Sequence, residues 1–198
     1  QAGLEPVTLE LAEPESVAAA AATIAERAGG QLWGLVNNAA YGQPGAVEDL
    51  ARDVLRHQFE VNLLGTLDLT VRLLPTLREQ GFGRVIQISS LLGLVALRYR
   101  GAYNASKFAL EGLTDTLRLE LAGSGIHPVL IEPGPITSRF RQHAYAAFQA
   151  NIDTERSPHR GVYEREVAAR LGGDEETPFT LGPEAVLAKT DKALDARR

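Results

Sequence analysis

Gly83-Arg84-Val85-Ile86-Gln87-Ile88-Ser89-Ser90 is the stretch that decides the fold. Val85, Ile86 and Ile88 are β-branched, which suits a pleated sheet, and Gly81 and Gly83 bound the run as a strand. Working outward, the same kind of run recurs at 32–37, at 126–132 and in Val7-Thr8-Leu9-Glu10-Leu11. Between these runs the apolar residues recur at three and four, the helical period. An alanine-rich helix is expected over 14–28, with Pro14 at its first turn and Gly29-Gly30 stopping it. Residues 46–80 read as helical, with a break or an ending near Gly65 and Pro75. A further helix is expected over 102–122, and Pro133-Gly134-Pro135 closes the strand after it. Strand and helix in regular succession define an α/β protein with a parallel sheet and helices on both faces. Ligands of such sheets bind at the carboxyl ends of the strands. From Ser138 onward, helical pieces at 140–150, 162–171 and 183–196 are joined by polar connections.

Composition narrows the function classes. A chain of 198 residues is the size of one domain. Its net charge of -5 argues against nucleic acid and membrane surfaces, which recruit basic patches. With no cysteine, disulfides, thiol nucleophiles and zinc–thiolate sites are excluded, and a reducing cytoplasm suits the chain. No apolar run approaches the roughly 18 residues of a spanning helix, and no signal peptide opens it. The chain has no methionine and starts at Gln1, so a segment upstream of it is expected.

The chemistry gathers at strand ends. Tyr103-Asn104-Ala105-Ser106-Lys107 sets a phenol and an ammonium four residues apart, on one face of a helix. A phenol near pKa 10 is a poor proton donor or acceptor at neutral pH. A nearby cation favours the phenolate, so the spacing predicts a tyrosine of lowered pKa. Ser89-Ser90 ends a strand, where a hydroxyl can hold a substrate oxygen against the tyrosine or simply serve a turn. Asn62 sits among Val61, Leu63 and Leu64 inside the long helical stretch, and a buried asparagine there needs partners. It reads as a structural polar residue, a kink, or a holder of a water on a proton path. Asn37-Asn38-Ala39-Ala40 follows the second strand as either an Asn-rich turn or a small-residue approach for a ligand.

Taken together, Asn37-Asn38-Ala39-Ala40, Asn62, Ser90, Tyr103-x-x-x-Lys107 and Pro133-Gly134 resemble the ordered signature of the short-chain dehydrogenase/reductases, from Val7 to about Phe140. Leu181-Gly182-Pro183-Glu184-Ala185-Val186 is similar to the steroid- and retinol-dehydrogenase-like branch. The resemblance implies a Rossmann-like doubly wound sheet whose first strands are absent from this sequence. The glycine-rich pyrophosphate loop and the residue that chooses between NAD and NADP would be absent with them. It implies one dinucleotide-binding catalytic domain over 1–198, with 138–182 covering the substrate. The implied function is NAD- or NADP-dependent interconversion of a carbonyl and an alcohol. Tyr103 would be the general acid/base, and Lys107 would lower its pKa and hold the nicotinamide ribose. Ser90 would orient the carbonyl, and Asn62 would support a water-linked proton relay. Asn37, Ala39 and Ala40 would line the adenosine side. Glu10 stands in the place of an aspartate near the adenine, and Ala40 in that of a glycine. Pro133, Gly134 and Ile136 would pass beside the nicotinamide, and Ser138 would hold its carboxamide. A homodimer or homotetramer is implied as well.

Phe140, Tyr145, Phe148, Tyr163 and Phe179 either line a lipophilic substrate pocket or pack the terminal helices. His127, His143 and His159 have no ligand-like spacing, are expected at surface or loop positions, and imply no metal. The rival to an enzyme is a catalytically silent dinucleotide-binding regulator or scaffold of the same fold. Having Tyr103, Lys107, Ser90 and Asn62 together counts against it.

Overall fold

The computed structural model describes residues 3–167 and 178–196. Its centre is a sheet of three parallel strands, β1 (Gly34–Asn37), β2 (Gly83–Ile88) and β3 (Ile126–Ile131), in that spatial order. Leu35 lies beside Val85, and Val85 beside Pro128. Parallel neighbours need a crossover rather than a hairpin, and here helices supply it. Between β1 and β2 run α2 (Arg52–Phe59) and α3 (Gly65–Gln80), and between β2 and β3 runs α4 (Gly101–Glu120). Helix α1 (Pro14–Ala28) precedes the sheet. After β3 come α5 (Phe140–Asn151), the single turn α6 (Arg160–Val162) and α7 (Glu184–Asp195).

Side chains alternate across a strand, and each face has its own cover. Leu35, Val85 and Ile126 share one face, closed by Leu77 of α3 and by Leu117 and Leu121 at the end of α4. Leu69 and Leu73 of α3 continue this layer against Val17 and Ala21 of α1. Arg84 points the other way and donates to the carbonyls of Ala193 at 3.2 Å and Ala196 at 2.6 Å, at the end of α7. Leu194 approaches so closely that a Cβ on Gly34 would meet it at 2.8 Å. Helices therefore flank the parallel sheet on both sides, as the alternation of elements predicts.

Two local expectations fail for tertiary reasons. Residues 7–11 form no strand, because no strand among the described residues lies beside them to complete a ladder. The helical stretch 46–80 does break beside Gly65, at a π-helical turn over Glu60–Leu64 around Asn62, but not at Pro75. Gly65 is a point of close approach, since a Cβ there would stand 2.0 Å from the Leu11 carbonyl oxygen. Pro75 lies inside α3 without ending it. The carbonyl it leaves without a donor is that of Val71, which is 52% exposed and so open to water. Gly81, at φ 75°, is the left-handed cap that stops α3 and lets the chain turn into β2.

Candidate active site

The carboxyl end of β2 and the first two turns of α4 meet. Lys107 is 2% exposed, and its Nζ donates to the carbonyl of Ile88, the last residue of β2, at 2.8 Å. Tyr103, one turn earlier, is buried with its ring face 5.8 Å from that ammonium. Ser90, just beyond β2, is near enough to the Tyr103 phenol to act on its proton affinity, while its Oγ accepts from the Leu92 amide at 3.1 Å. The structure thus brings Tyr103, Lys107 and Ser90 together at one strand end.

The electrostatics differ from the sequence expectation. Burial pushes the Tyr103 hydroxyl above its ordinary value, and the neighbouring Ser90 only partly offsets this. The lysine charge lies over the ring rather than at the oxygen, so burial outweighs it. Burial also lowers Lys107, to about 8, against an opposing pull from Glu111. At pH 7 the pair is therefore a neutral phenol beside a protonated amine, a donor-ready arrangement.

Asn62, 1% exposed, is engaged at both ends of its amide. It accepts from the Tyr41 amide at 3.1 Å and donates to the Tyr41 carbonyl at 2.9 Å and to Ser106 Oγ at 3.2 Å. The loop after β1 is thereby pinned to the helix that carries Tyr103. Asn37 uses its amide in the same structural way, donating to Thr70 Oγ1 of α3 at 2.9 Å. Beyond it Ala39 is exposed and Ala40 half-buried. Glu10 is exposed just before α1, and its Oε1 accepts from the Ala12 amide at 3.3 Å. The Pro133 carbonyl accepts from the Leu91 amide at 2.9 Å, tying the loop after β3 to the loop after β2. Ser138 Oγ caps α5 through the Phe140 amide at 3.3 Å. A groove of about 650 Å³ beside β3 takes in Pro133, Gly134 and Ile136 but not Tyr103. Tyr103, Lys107 and Ser90 form the candidate site, and this groove lies to one side of it.

Phe140, one of the aromatics expected either to line a pocket or to pack the terminal helices, stacks edge-on to Tyr103, centroids 5.4 Å apart, while several other contributors gave no sequence signal. Gly42 leaves room for the Phe140 ring, since a Cβ there would meet Phe140 Cζ at 2.8 Å. Gln58, fully buried, accepts from the Gln43 amide at 2.7 Å, and Asn151 of α5 donates to Gln43 Oε1 at 2.8 Å. That chain of amides fastens α5 to the loop after β1. Among the other aromatics, Phe148 and Tyr163 pack with Ala46, Ala144 and Ile152, and Tyr145 lies against them. Phe179 is 92% exposed. His127 belongs to β3 rather than to a loop, and His159 pairs with Glu48 at 2.6 Å. Among the described residues no cluster of side chains could hold a metal ion, and no helix is long and apolar enough to cross a membrane.

The residues present fit the nicotinamide end of a dinucleotide. Lys107 has three N–H donors, and its hydrogen bond to Ile88 leaves two for ribose hydroxyls. Backbone at Pro133 to Ile136 borders the same end of the sheet. The sequence contains no glycine-rich turn between a strand and a helix for a pyrophosphate, so the fit extends to that end alone.

A parallel sheet flanked by helices, with a buried tyrosine–lysine pair at a strand end, is the Rossmann-like arrangement. The family model of the short chain dehydrogenases matches residues 2–148, and the chain belongs to that family. It is similar to the uncharacterized oxidoreductase YbbO of Escherichia coli, at 40% identity over 97% of this chain and 65% of the relative. Human retinol dehydrogenase 16 is 43% identical over 66% of this chain and 41% of its own length. Human 17-beta-hydroxysteroid dehydrogenase type 1 is 36% identical over 76% and 45%. These relatives support the steroid- and retinol-dehydrogenase-like branch. A solved short-chain dehydrogenase from Streptomyces avermitilis superposes with a TM-score of 0.64 at 29% identity, over 95% of this chain and 75% of that one. The chain spans 65% or less of the length of these curated relatives.

Proposed function

We propose that the protein is an NAD- or NADP-dependent oxidoreductase that interconverts a ketone or aldehyde with an alcohol, with Tyr103 as the general acid/base. The observation that carries this reading is the convergence of Tyr103, Ser90 and Lys107 at the end of β2. A nicotinamide cofactor, when bound, supplies or takes up the hydride. Ser90 holds the substrate oxygen beside the phenol, and Tyr103 gives that oxygen a proton as the carbonyl is reduced. In the reverse direction Tyr103 takes the proton. Lys107 supplies the nearby positive charge and two N–H groups toward the cofactor ribose. Asn37, Ala39, Ala40 and Glu10 form the adenosine side. Pro133, Gly134, Ile136 and Ser138 form the nicotinamide side. Asn62 serves a proton relay by position, through the π-helical turn it sits in, because its own amide is fully engaged.

The chain belongs to one dinucleotide-binding catalytic domain, N-terminally incomplete here, with 138–167 and 178–182 over the substrate; residues 168–177 of the expected 138–182 cover lie outside the described residues. Phe140, edge-on to Tyr103, gives the pocket an apolar wall, which favours a lipophilic small molecule. The family resemblance favours a homodimer or homotetramer, and the lack of cysteine suits a cytoplasmic setting. The test is oxidation of NADH or NADPH against a panel of aliphatic, aromatic and steroid-like carbonyls, with wild type and Tyr103→Phe side by side. Tyrosine-dependent turnover supports the enzyme. Cofactor binding without tyrosine-dependent turnover favours the silent regulator instead.

A further inference from the structure

Three segments far apart in the chain meet at an acidic turn that the roles above leave unused. Val47–Asp49 is a single 3₁₀ turn in the loop after β1. Asp49 Oδ2 accepts two hydroxyls from the covering segment, Ser157 Oγ at 2.6 Å and Tyr163 Oη. Hydroxyls donating to a carboxylate make the stronger class of hydrogen bond. The Tyr163 oxygen in turn accepts from the Ala46 amide at 2.8 Å. Glu48, next door, pairs with His159 at 2.6 Å, but it is 64% exposed, so that pair adds little. The apolar residues packed at this point are Ala46, Ala144, Phe148, Ile152, Tyr163 and Val167, none of them from the sheet, α3 or α4. Tyr99, from the loop before α4, lies edge-on to Tyr163 and takes φ 61°. Bulky residues seldom adopt that left-handed backbone, and such strain persists only where the surroundings hold it. The path onward from Tyr163 is short. Its ring lies edge-on to Phe148, centroids 5.1 Å apart. Phe148 shares α5 with Phe140, the ring set against Tyr103.

We infer that Asp49 is a positioning residue: by receiving Ser157 and Tyr163 on one carboxylate oxygen, it locks α5 in the place that sets Phe140 against the Tyr103 ring. Asp49 acts through Tyr163 and Phe148, and the rigid rod of α5 carries the constraint along to Phe140. One wall beside the phenol is thus set from the loop after β1. The same loop is pinned to α4 by Asn62, so both sides of the Phe140–Tyr103 contact are referred to it. That Phe140 walls a substrate pocket rests on the function proposed above; the coupling of Asp49 to Phe140 does not.

The chain has five tyrosines, so ring NMR of the tyrosine-labelled full chain gives Tyr103 its own signals, assigned by their loss in Tyr103→Phe. Phe140→Leu defines how those signals move when the aromatic edge is taken away. Asp49→Ala is expected to move them in the same direction, and Asp49→Asn, which keeps an acceptor oxygen, to bring them back toward wild type. Amide exchange in α5 is expected to be about 10–100-fold faster in Asp49→Ala, as the loss of a hydrogen bond to a charged group implies, with β2 and α4 unchanged. Tyr103 signals that stay at their wild-type positions in Asp49→Ala overturn the inference. So does an acceleration in β2 equal to that in α5, which would make Asp49 a contributor to overall stability alone. Ser157→Ala removes one donor and keeps the carboxylate, and it covers an Asp49→Ala protein that does not fold. A shift of the Tyr103 signals in the same direction is expected there, and fixed signals overturn the inference too. Neither readout requires turnover, so inactivity of the protein bears on the proposed reaction and fixed Tyr103 signals bear on Asp49.

Discussion

Replacing Asn62 with alanine removes the pin between the loop after β1 and α4, and its cost follows from the hydrogen bonds. Three bonds disappear, two to the Tyr41 backbone and one to Ser106. The Tyr41 carbonyl keeps a partner, because Gln58 Nε2 donates to it at 2.9 Å. Ser106 keeps its own bond to the Tyr103 carbonyl at 2.9 Å. The Tyr41 amide is the group left without the acceptor it had. A buried orphaned donor costs about 1–3 kcal/mol, and each of the other two lost bonds about 1 kcal/mol. The total of about 3–5 kcal/mol lowers Tm by about 6–20 °C for a domain of this size. Asn62→Asp keeps the acceptor for Tyr41 but turns a buried carboxylate toward an acceptor carbonyl. Its folded-state pKa is raised, so relative to wild type its stability falls as pH rises through that value and recovers on acidification. Thermal and urea unfolding followed by circular dichroism, at pH 7 and at lower pH, measure both effects. An Asn62→Ala protein within about 0.5 kcal/mol of wild type, the range of a neutral surface change, would refute the pin.

Three further changes follow from contacts of the same kind. Gly65→Ala puts a methyl group 2.0 Å from the Leu11 carbonyl oxygen; the backbone must give way, and a loss of at least about 2 kcal/mol is expected, where unchanged urea unfolding would show that the approach is loose. Tyr163→Phe removes the acceptor of the Ala46 amide, held at 2.8 Å, and the partner of Asp49, for about 1–3 kcal/mol in chemical denaturation; a loss under about 0.5 kcal/mol would contradict this. Lys107→Met is expected to abolish turnover yet to stabilise the fold at pH 7, because it removes a buried cation. Between pH 8 and 10.5 the native lysine is neutral while the unfolded one still binds its proton, so wild-type stability from this group rises with pH and the gap to Lys107→Met narrows. A gap that widens across that window refutes the assignment.

What the sequence revealed was local. The β-branched run of β2 and the amphipathic stretch of α4 are each carried by their own residues, and both form as read. Residues 7–11 have the alternation of a strand, but strandedness also requires a neighbour, which no local pattern supplies. The helix does break beside Gly65, but the Leu11 main chain against that glycine is seen only in the fold. The interruption is a π-helical turn around Asn62, the polar residue in an apolar stretch. Tyr103, Lys107 and Ser90 were legible because order and strand-end placement are sequence properties. Gly42 and the Gln43–Gln58–Asn151 amides were not, since their roles exist only once α5 and the loops have met. The Tyr103 proton affinity went the opposite way from the spacing argument, because helix spacing carries the lysine but says nothing of how deeply the phenol is buried.

The central claim is that Tyr103 moves the proton. Its most direct test measures cofactor binding, by quenching of protein fluorescence with NADPH or NADH, together with single-turnover reduction of an accepted carbonyl in wild type and Tyr103→Phe. The account predicts similar cofactor binding in both and a rate about 10²–10⁴-fold lower in the variant. A Tyr103→Phe protein that binds cofactor and reduces the carbonyl at the wild-type rate would contradict it.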